Sequence, residues 1–305
     1  MKKNIPIYIM YLWAALSLTA CTADDDPSWP PGGVPLELSA VVQGYAGSGA
    51  DTRAATTENR WEGGEVVWLC EDKENGLKDI YTVNVDGRLI HAYQHTSPWD
   101  WDWINPYKKR TFYAYYPGTW SGGKFTVRTD QNSGGGYQAS DRMCTPKTSF
   151  AISDAVKVLH FYHLTAKVLV HLKAGKGVTK DDLLHATVTF ENLATRAECE
   201  EPGTSLPNAY APQSALPGNS TIIPNEVAPA ADGYVRTLRA LLVPQDMSGR
   251  KFVKIVTKDG RTFYYIPARD EANFTSRKMY EFRLTVTSEG IERTDVGGAT
   301  WKPAD

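Results

Sequence analysis

The chain has 305 residues, with 33 Lys and Arg against 35 Asp and Glu, for a formal net charge of −2. A balance so close to zero offers no electrostatic footprint for nucleic acid or any other polyanion, and none is expected as a partner. Four cysteines are far too few to form a disulfide framework in a chain of this length.

The N-terminus carries Lys2 and Lys3, an apolar run from Ile5 to Leu18, and then Leu18-Thr19-Ala20-Cys21. This is the charged, apolar and small-residue pattern of a secretory signal, with cleavage expected between Ala20 and Cys21. A cysteine directly after Leu-Thr-Ala resembles a bacterial lipobox, which makes Cys21 the expected lipidation site and the anchor a lipid; the plain alternative is an ordinary signal that happens to contain a cysteine. No later stretch approaches the roughly 18 consecutive apolar residues of a spanning helix. The mature chain, 305 less 20 or 285 residues, suffices for two domains of ordinary size. Of its cysteines, Cys70, Cys144 and Cys199 can form at most one bridge.

Residues 21–33, with Asp24-Asp25-Asp26, read as a polar tether. The first strand is expected at Val34–Gln43, where Val34, Leu36, Leu38, Ala40 and Val42 alternate with polar positions. Gly44 to Arg60 has no apolar period and reads as a long exposed loop. Strands are then expected at Glu65–Cys70, Asp79–Val85, Arg88–Tyr93, Arg110–Tyr116 and Gly123–Val127, with Asp86-Gly87 as a turn. The pattern continues through Val156–Leu172 and His185–Phe190. Lys251–Thr257 and Arg261–Ile266 flank Asp259-Gly260, the dipeptide of a type I′ hairpin turn. Tyr280–Val286 is the last strong strand. Helical periodicity is nearly absent, so the class is all-β and sandwiches are favoured. The Gly and Lys containing break at 173–178 sets the expected division into 34–174 and 175–305. Residues 201–226, rich in proline, read as a second long loop.

Signatures of chemistry are missing: there is no Gly-x-Ser-x-Gly, His-Glu-x-x-His or Cys-x-x-Cys. The Glu71–Asp79 segment carries Lys73 where a calcium loop needs an oxygen ligand. His160 and His163 fall on opposite faces of a strand and do not make a joint metal site. No cofactor, metal or enzymatic activity is expected. Trp99-Asp100-Trp101-Asp102-Trp103 is the most unusual local feature, placing Trp99, Trp101 and Trp103 on one side at period two. Two readings stay open for them, a buried or edge-covering role and a ligand or adhesive platform.

The ordered signals include the lipobox, Thr52-Arg53-Ala54, Trp61, Phe112-Tyr113-Ala114-Tyr115-Tyr116-Pro117 and Ser140-Asp141-Arg142-Met143. They continue with Phe161-x-His163-Leu164-x-Ala166-Lys167-Val168, Ala240-Leu241-Leu242-Val243-Pro244-Gln245 and Tyr280-x-Phe282-x-Leu284-x-Val286. Together they resemble the fimbrillin-like proteins that build or decorate the short fimbriae of anaerobic Gram-negative bacteria. Ser276-Arg277-Lys278 departs from the pattern, because relatives more often carry a glycine there.

The resemblance implies two tandem transthyretin-like β-sandwich domains and a lipoprotein of the outer membrane, a destination that the acidic cluster after Cys21 also resembles. It further implies assembly by strand exchange. An arginine-specific protease cuts the loop after the first strand, the strand leaves, and a strand from a neighbouring subunit takes its place. Arg53 matches the cut position and Arg60 is a second candidate. Burial of Val34, Leu36, Leu38 and Val42 would contribute on the order of 6 to 12 kcal/mol, which leaves the vacated groove unstable until refilled. Partners are then other fimbrial subunits, the membrane lipid, and a surface receptor or glycan that the sequence does not name. After Gly290 the tail is a poor donor strand, broken by Gly297-Gly298, which suits a tip or accessory subunit. The alternative function is a cell-surface glycan-binding lipoprotein.

Overall fold

The structure is a computed structural model that describes residues 34–35, 37–45, 59–74, 76, 78–91, 100–101, 107–119, 122–198, 214–215, 218–229 and 233–294. Among the described residues it is all-β apart from one short α-helix and a 3-10 turn at Gln138–Ser140. The N-terminal half contributes β1 (Val34–Pro35), β2 (Ser39–Gln43), β3 (Glu65–Glu71), β4 (Lys78–Val83), β5 (Leu89–His91), β6 (Asp100–Trp101), β7 (Arg110–Tyr116), β8 (Lys124–Thr126), β9 (Met143–Cys144), β10 (Thr148–Phe150) and β11 (Val158–His163).

One sheet runs in the order β2-β11-β9-β7-β3-β4-β5, with β10 also on β7. Its two ends meet, because Ser39 bridges Arg88 in antiparallel fashion. Two backbone bonds make that seam, Ala40 N to Gly87 O at 2.7 Å and Leu89 N to Leu38 O at 2.9 Å. The sheet thus closes on itself, which removes its exposed edges. Alternation along the strands sends Leu38, Ala40, Val42, Val67, Leu69, Tyr81, Val83, Phe112, Ala114, Leu159 and Phe161 into one core.

The expected first strand is in fact two pieces. Val34 pairs with Trp101 and Pro35 with Asp100 in a separate two-stranded sheet, whereas Ser39–Gln43 runs parallel to β11. Pro35 has no amide hydrogen to extend a ladder, and the chain changes partners there. Leu36 lies outside the described residues.

The C-terminal half comprises β12 (Ala166–Ala174), α1 (Lys180–Leu184), β13 (Thr187–Leu193), β14 (Arg196–Glu198), β15 (Ser214–Ala215), β16 (Ser220–Ile222), β17 (Asn225–Val227), β18 (Arg236–Leu242), β19 (Val253–Val256), β20 (Thr262–Tyr265), β21 (Met279–Thr287) and β22 (Gly290–Arg293). Sheets β17-β18-β12-β21-β22 and β16-β13-β19-β20 enclose Val168, Val170, Leu172, Phe190, Val253, Ile255, Phe282 and Leu284. Phe252 ties the layers together, 5.1 Å from Phe190 and 5.8 Å from Phe282 between ring centroids. This is a β-sandwich.

The run expected as one stretch, Val156–Leu172, breaks at Leu164-Thr165, and β12 becomes the central strand of the second unit. The change of sheet therefore precedes the expected division at 173–178. No glycine or proline marks it, and Leu164 and Thr165 are both fully buried. The segment after β7 also crosses over: β8 pairs with β14, and the buried Gln131 side chain both donates to Leu241 O at 2.8 Å and accepts from Leu241 N at 2.9 Å. Short strands β15, β16 and β17 interrupt the region read as a loop at 201–226. The helix α1 was not expected; its signal is the Thr179-x-x-Asp182 capping box, in which both reciprocal bonds are present.

The Asp259-Gly260 hairpin differs from the expected type I′ turn. Only Gly260 has a positive φ, +88°. Gly260 N bonds Thr257 O, and Thr257 N bonds Arg261 O. This is a three-residue loop of a type I turn followed by a left-handed glycine bulge. Asp86-Gly87 repeats it, with Gly87 at φ +84°, Gly87 N on Asn84 O and Asn84 N on Arg88 O.

Candidate functional site

The seat of β2 is the place where sequence, closure and chain connectivity converge. Along one side, β2 pairs in parallel from Ser39 on Val158 to Gln43 on Tyr162. Along the other, Leu38 and Ala40 bond to the β5 end at the seam. The Ala40 carbonyl also accepts from Trp61 Nε1 at 2.9 Å. Leu38, Ala40 and Val42 are buried, while Val41 on the opposite face is 42% exposed. Full burial of Leu38 and Val42 contributes about 1.5–3 kcal/mol each.

Trp61 anchors the chain where it returns from the long loop. Its indole is buried and meets Phe161 edge-on at 5.2 Å and Tyr116 at 5.7 Å. The other end of the loop is pinned as well. Gln43 Nε2 lies 2.9 Å from His160 Nδ1, and the Tyr45 hydroxyl lies 2.7 Å from Thr165 Oγ1. The Tyr45 ring stacks on His163 at 4.0 Å, and His163 Nδ1 is 2.8 Å from Asp141 Oδ1. His160 is exposed and His163 buried, so the two do face opposite ways. Among the described residues no group of three His, Cys, Asp or Glu side chains is placed to hold a metal ion.

A cleft of about 90 Å³ opens beside Val42, between Arg60, Trp61, Glu65, Tyr116, Asp141 and Arg239. Burial, with Asp141 and Glu65 adding to it, pushes the Tyr116 hydroxyl up to about 12. It stays neutral at any physiological pH, and the cleft is suited to packing more than to proton transfer.

Of the residues singled out from sequence, Arg60 is exposed at the foot of Trp61. Ala20, Cys21, Arg53, Cys199, Trp99 and Trp103 lie outside the described residues. Trp101 sits on β6 opposite Val34. Cys70 and Cys144 are buried and separated by β7, because each lies on a strand that pairs with it, at Tyr113 and Tyr115. Sequence reading missed Gly87, Tyr45 and the His163–Asp141 contact. Gly87 was visible as a turn residue but not as the partner of the first strand.

With this geometry in view, a family profile described as fimbrillin-like matches residues 52–301. The chain belongs to the fimbrillin-like family. Among solved structures, this fimbrillin-like protein is similar to a candidate cell adhesion protein from Bacteroides uniformis, at 19% identity and a TM-score of 0.62, covering 87% of this chain and 97% of that one. A second candidate cell adhesion protein, from Bacteroides ovatus, is 16% identical with a TM-score of 0.61, covering 89% and 99%. At such identities the likeness is one of fold. No curated protein matches the sequence.

Within Ser276-Arg277-Lys278, Arg277 has φ +68°, the left-handed region that favours glycine. Its guanidinium stands 4.5 Å from the Tyr162 ring centroid.

Proposed function

We propose that this protein is a fimbrial subunit or fimbria-associated adhesin, held at the cell surface through acylated Cys21 in the outer membrane. It matures by proteolysis after Arg53 or Arg60 and assembles when a strand from a neighbouring subunit replaces Ser39–Gln43. The observation that carries this reading is the position of β2. A five-residue strand closes an entire sheet, yet it joins the rest of the chain through one long loop pinned at both ends. A cut in that loop separates β2 covalently while Trp61 keeps the downstream chain in place, and exposed polar loops are where proteases act. The vacated slot offers backbone on both sides and an apolar floor, the requirements of strand addition.

The C-terminal strand supports an accepting role. Gly290–Arg293 is paired with β21 of its own sheet, so this strand is engaged within the subunit. A tip or accessory subunit needs to accept a strand but not to give one. A polymer purified from this chain alone would remove that part of the proposal.

The deciding experiment is N-terminal sequencing of protein recovered from the native cell surface, set against protein still inside the cell. A new terminus at Ala54 or Trp61 is expected. An intact acylated Cys21 on every surface molecule would overturn strand exchange.

A further inference from the structure

A second cleft, of about 350 Å³, lies away from the β2 seat and is lined by Thr119, Lys124, Phe125, Thr126, Arg128 and Arg142. Its polar lining is three cations and two hydroxyls, with no carboxylate. Lys124, Thr126 and Arg128 are all exposed and alternate along β8 and the two residues after it, while Phe125 and Val127 are buried in the core. None of the three cations forms an ion pair among the described residues. The nearby carboxylates are turned elsewhere: Asp141 faces His163, and Glu198, opposite Lys124 on β14, does not line the cleft.

Arg142 is fixed from behind. Its Nη1 donates to Ala139 O and Asp141 O, each at 2.8 Å, while its Nε is buried and has no protein acceptor. Burial, reinforced by the neighbouring charge of Arg128 and opposed by Asp141, holds the guanidinium below its usual pKa. Two like charges line one cleft and Asp141 offsets them only in part, so an incoming oxyanion is favoured there.

We propose that this cleft binds an anionic monosaccharide unit, a sugar bearing a carboxylate or sulfate, with Arg128, Arg142 and Lys124 on the oxyanion and Thr119 and Thr126 on ring hydroxyls. The volume lies at the small end of small-molecule sites and suits one such unit, not an extended chain. A near-neutral protein also lacks the long-range field that would gather a polyanion. The site does not depend on strand exchange and is formed with β2 in place.

The test is ligand-observed NMR on the uncleaved mature chain with four probes: glucuronate, a sulfated galactose, neutral glucose and a short polyaspartate peptide. The acidic sugars should bind, weaken with added salt, and lose about tenfold or more in affinity with Arg128→Gln, since a hydrogen bond to a charged group is removed. Lys176→Gln, a remote surface change, should leave binding unaltered. Among the described residues Arg128 makes no side-chain hydrogen bond or ion pair, so the variant should keep the parent melting temperature. Equal binding of glucose, indifference to Arg128→Gln, or tighter binding of polyaspartate than of either acidic sugar would each overturn the proposal, the last by making the occupant an acidic protein segment.

Discussion

The Ala40 amide donates to the Gly87 carbonyl at 2.7 Å, and a Cβ placed on Gly87 would lie 2.4 Å from the Ala40 oxygen. First strand and hairpin turn thus approach so closely that only glycine fits between them, at a φ of +84° that glycine also favours. Gly87→Ala should therefore destabilise the protein by on the order of 1–3 kcal/mol and loosen β2 selectively. Urea unfolding reads the first effect, and amide exchange at Leu89, whose N–H bonds Leu38, reads the second. Unchanged protection at Leu89 would mean that β5 does not close the sheet.

Ser39 and Arg88 face each other across that seam as a pair without mutual hydrogen bonds, since the bonds run between their neighbours. Such pairs have Cα atoms about 4.5 Å apart, inside the roughly 4.4–6.8 Å range of disulfides. The double variant Ser39→Cys with Arg88→Cys should form a bond that holds β2 after the loop is cut. Assembly with partner subunits should stop in the oxidised protein and resume on reduction. Assembly in the oxidised state would show that β2 need not leave.

Position 277 allows a cleaner test of backbone strain than wild type does, because Arg277→Gly and Arg277→Ala both lose the contact with Tyr162. Alanine usually stabilises relative to glycine. Here, at φ +68°, Arg277→Gly should be the more stable by about 1 kcal/mol. Thermal unfolding of the two variants reports the difference, and the reverse order would place residue 277 in an ordinary conformation.

Glu71 supplies a pH-dependent contribution. Burial alone would raise its carboxyl, but Arg110 Nε at 2.9 Å and Lys73 Nζ at 3.0 Å outweigh that and hold it below the ordinary 4.5. A depressed folded pKa stabilises fully above the unfolded value and fades as pH falls through the folded one. Unfolding midpoints measured against pH should fall more steeply below pH 4.5 in wild type than in Glu71→Gln. At neutral pH the variant should be weaker by about 2 kcal/mol. Parallel curves would assign the acid response to other groups.

Much of the fold was legible because its strands are amphipathic: Tyr280, Phe282, Leu284 and Val286 are buried at every second position, as period two requires. Failures came where the deciding partner is remote in sequence. Val34 and Leu38 read as one strand because alternation carries no information about which neighbour each half will meet. Leu164-Thr165 gave no sign of a boundary, having no glycine or proline and being continuous with strands on both sides. The candidate site followed the same rule. Trp61 and the first strand could be named from the chain alone, whereas Gly87, Tyr45 and Asp141 gained their roles only through contacts made across the fold. The basic cleft is invisible in one dimension, since Arg142 reaches Lys124 and Arg128 only after β8 has crossed to the second unit.

The junction at Leu164-Thr165 bears on how the molecule carries load. Leu164 N is held by Arg142 O, Leu164 O by Ser276 Oγ, and Thr165 O by Arg277 N, so the two units meet at a clamped joint with no free swivel. Beyond it, β12 runs parallel to β21 over eight paired residues. A pull that slides these strands past one another strains all the cross-strand bonds at once instead of opening them one by one. In the assembly proposed above, tension would then pass straight through the subunit, and the exchanged strand, not the sandwich, would be the first part to yield.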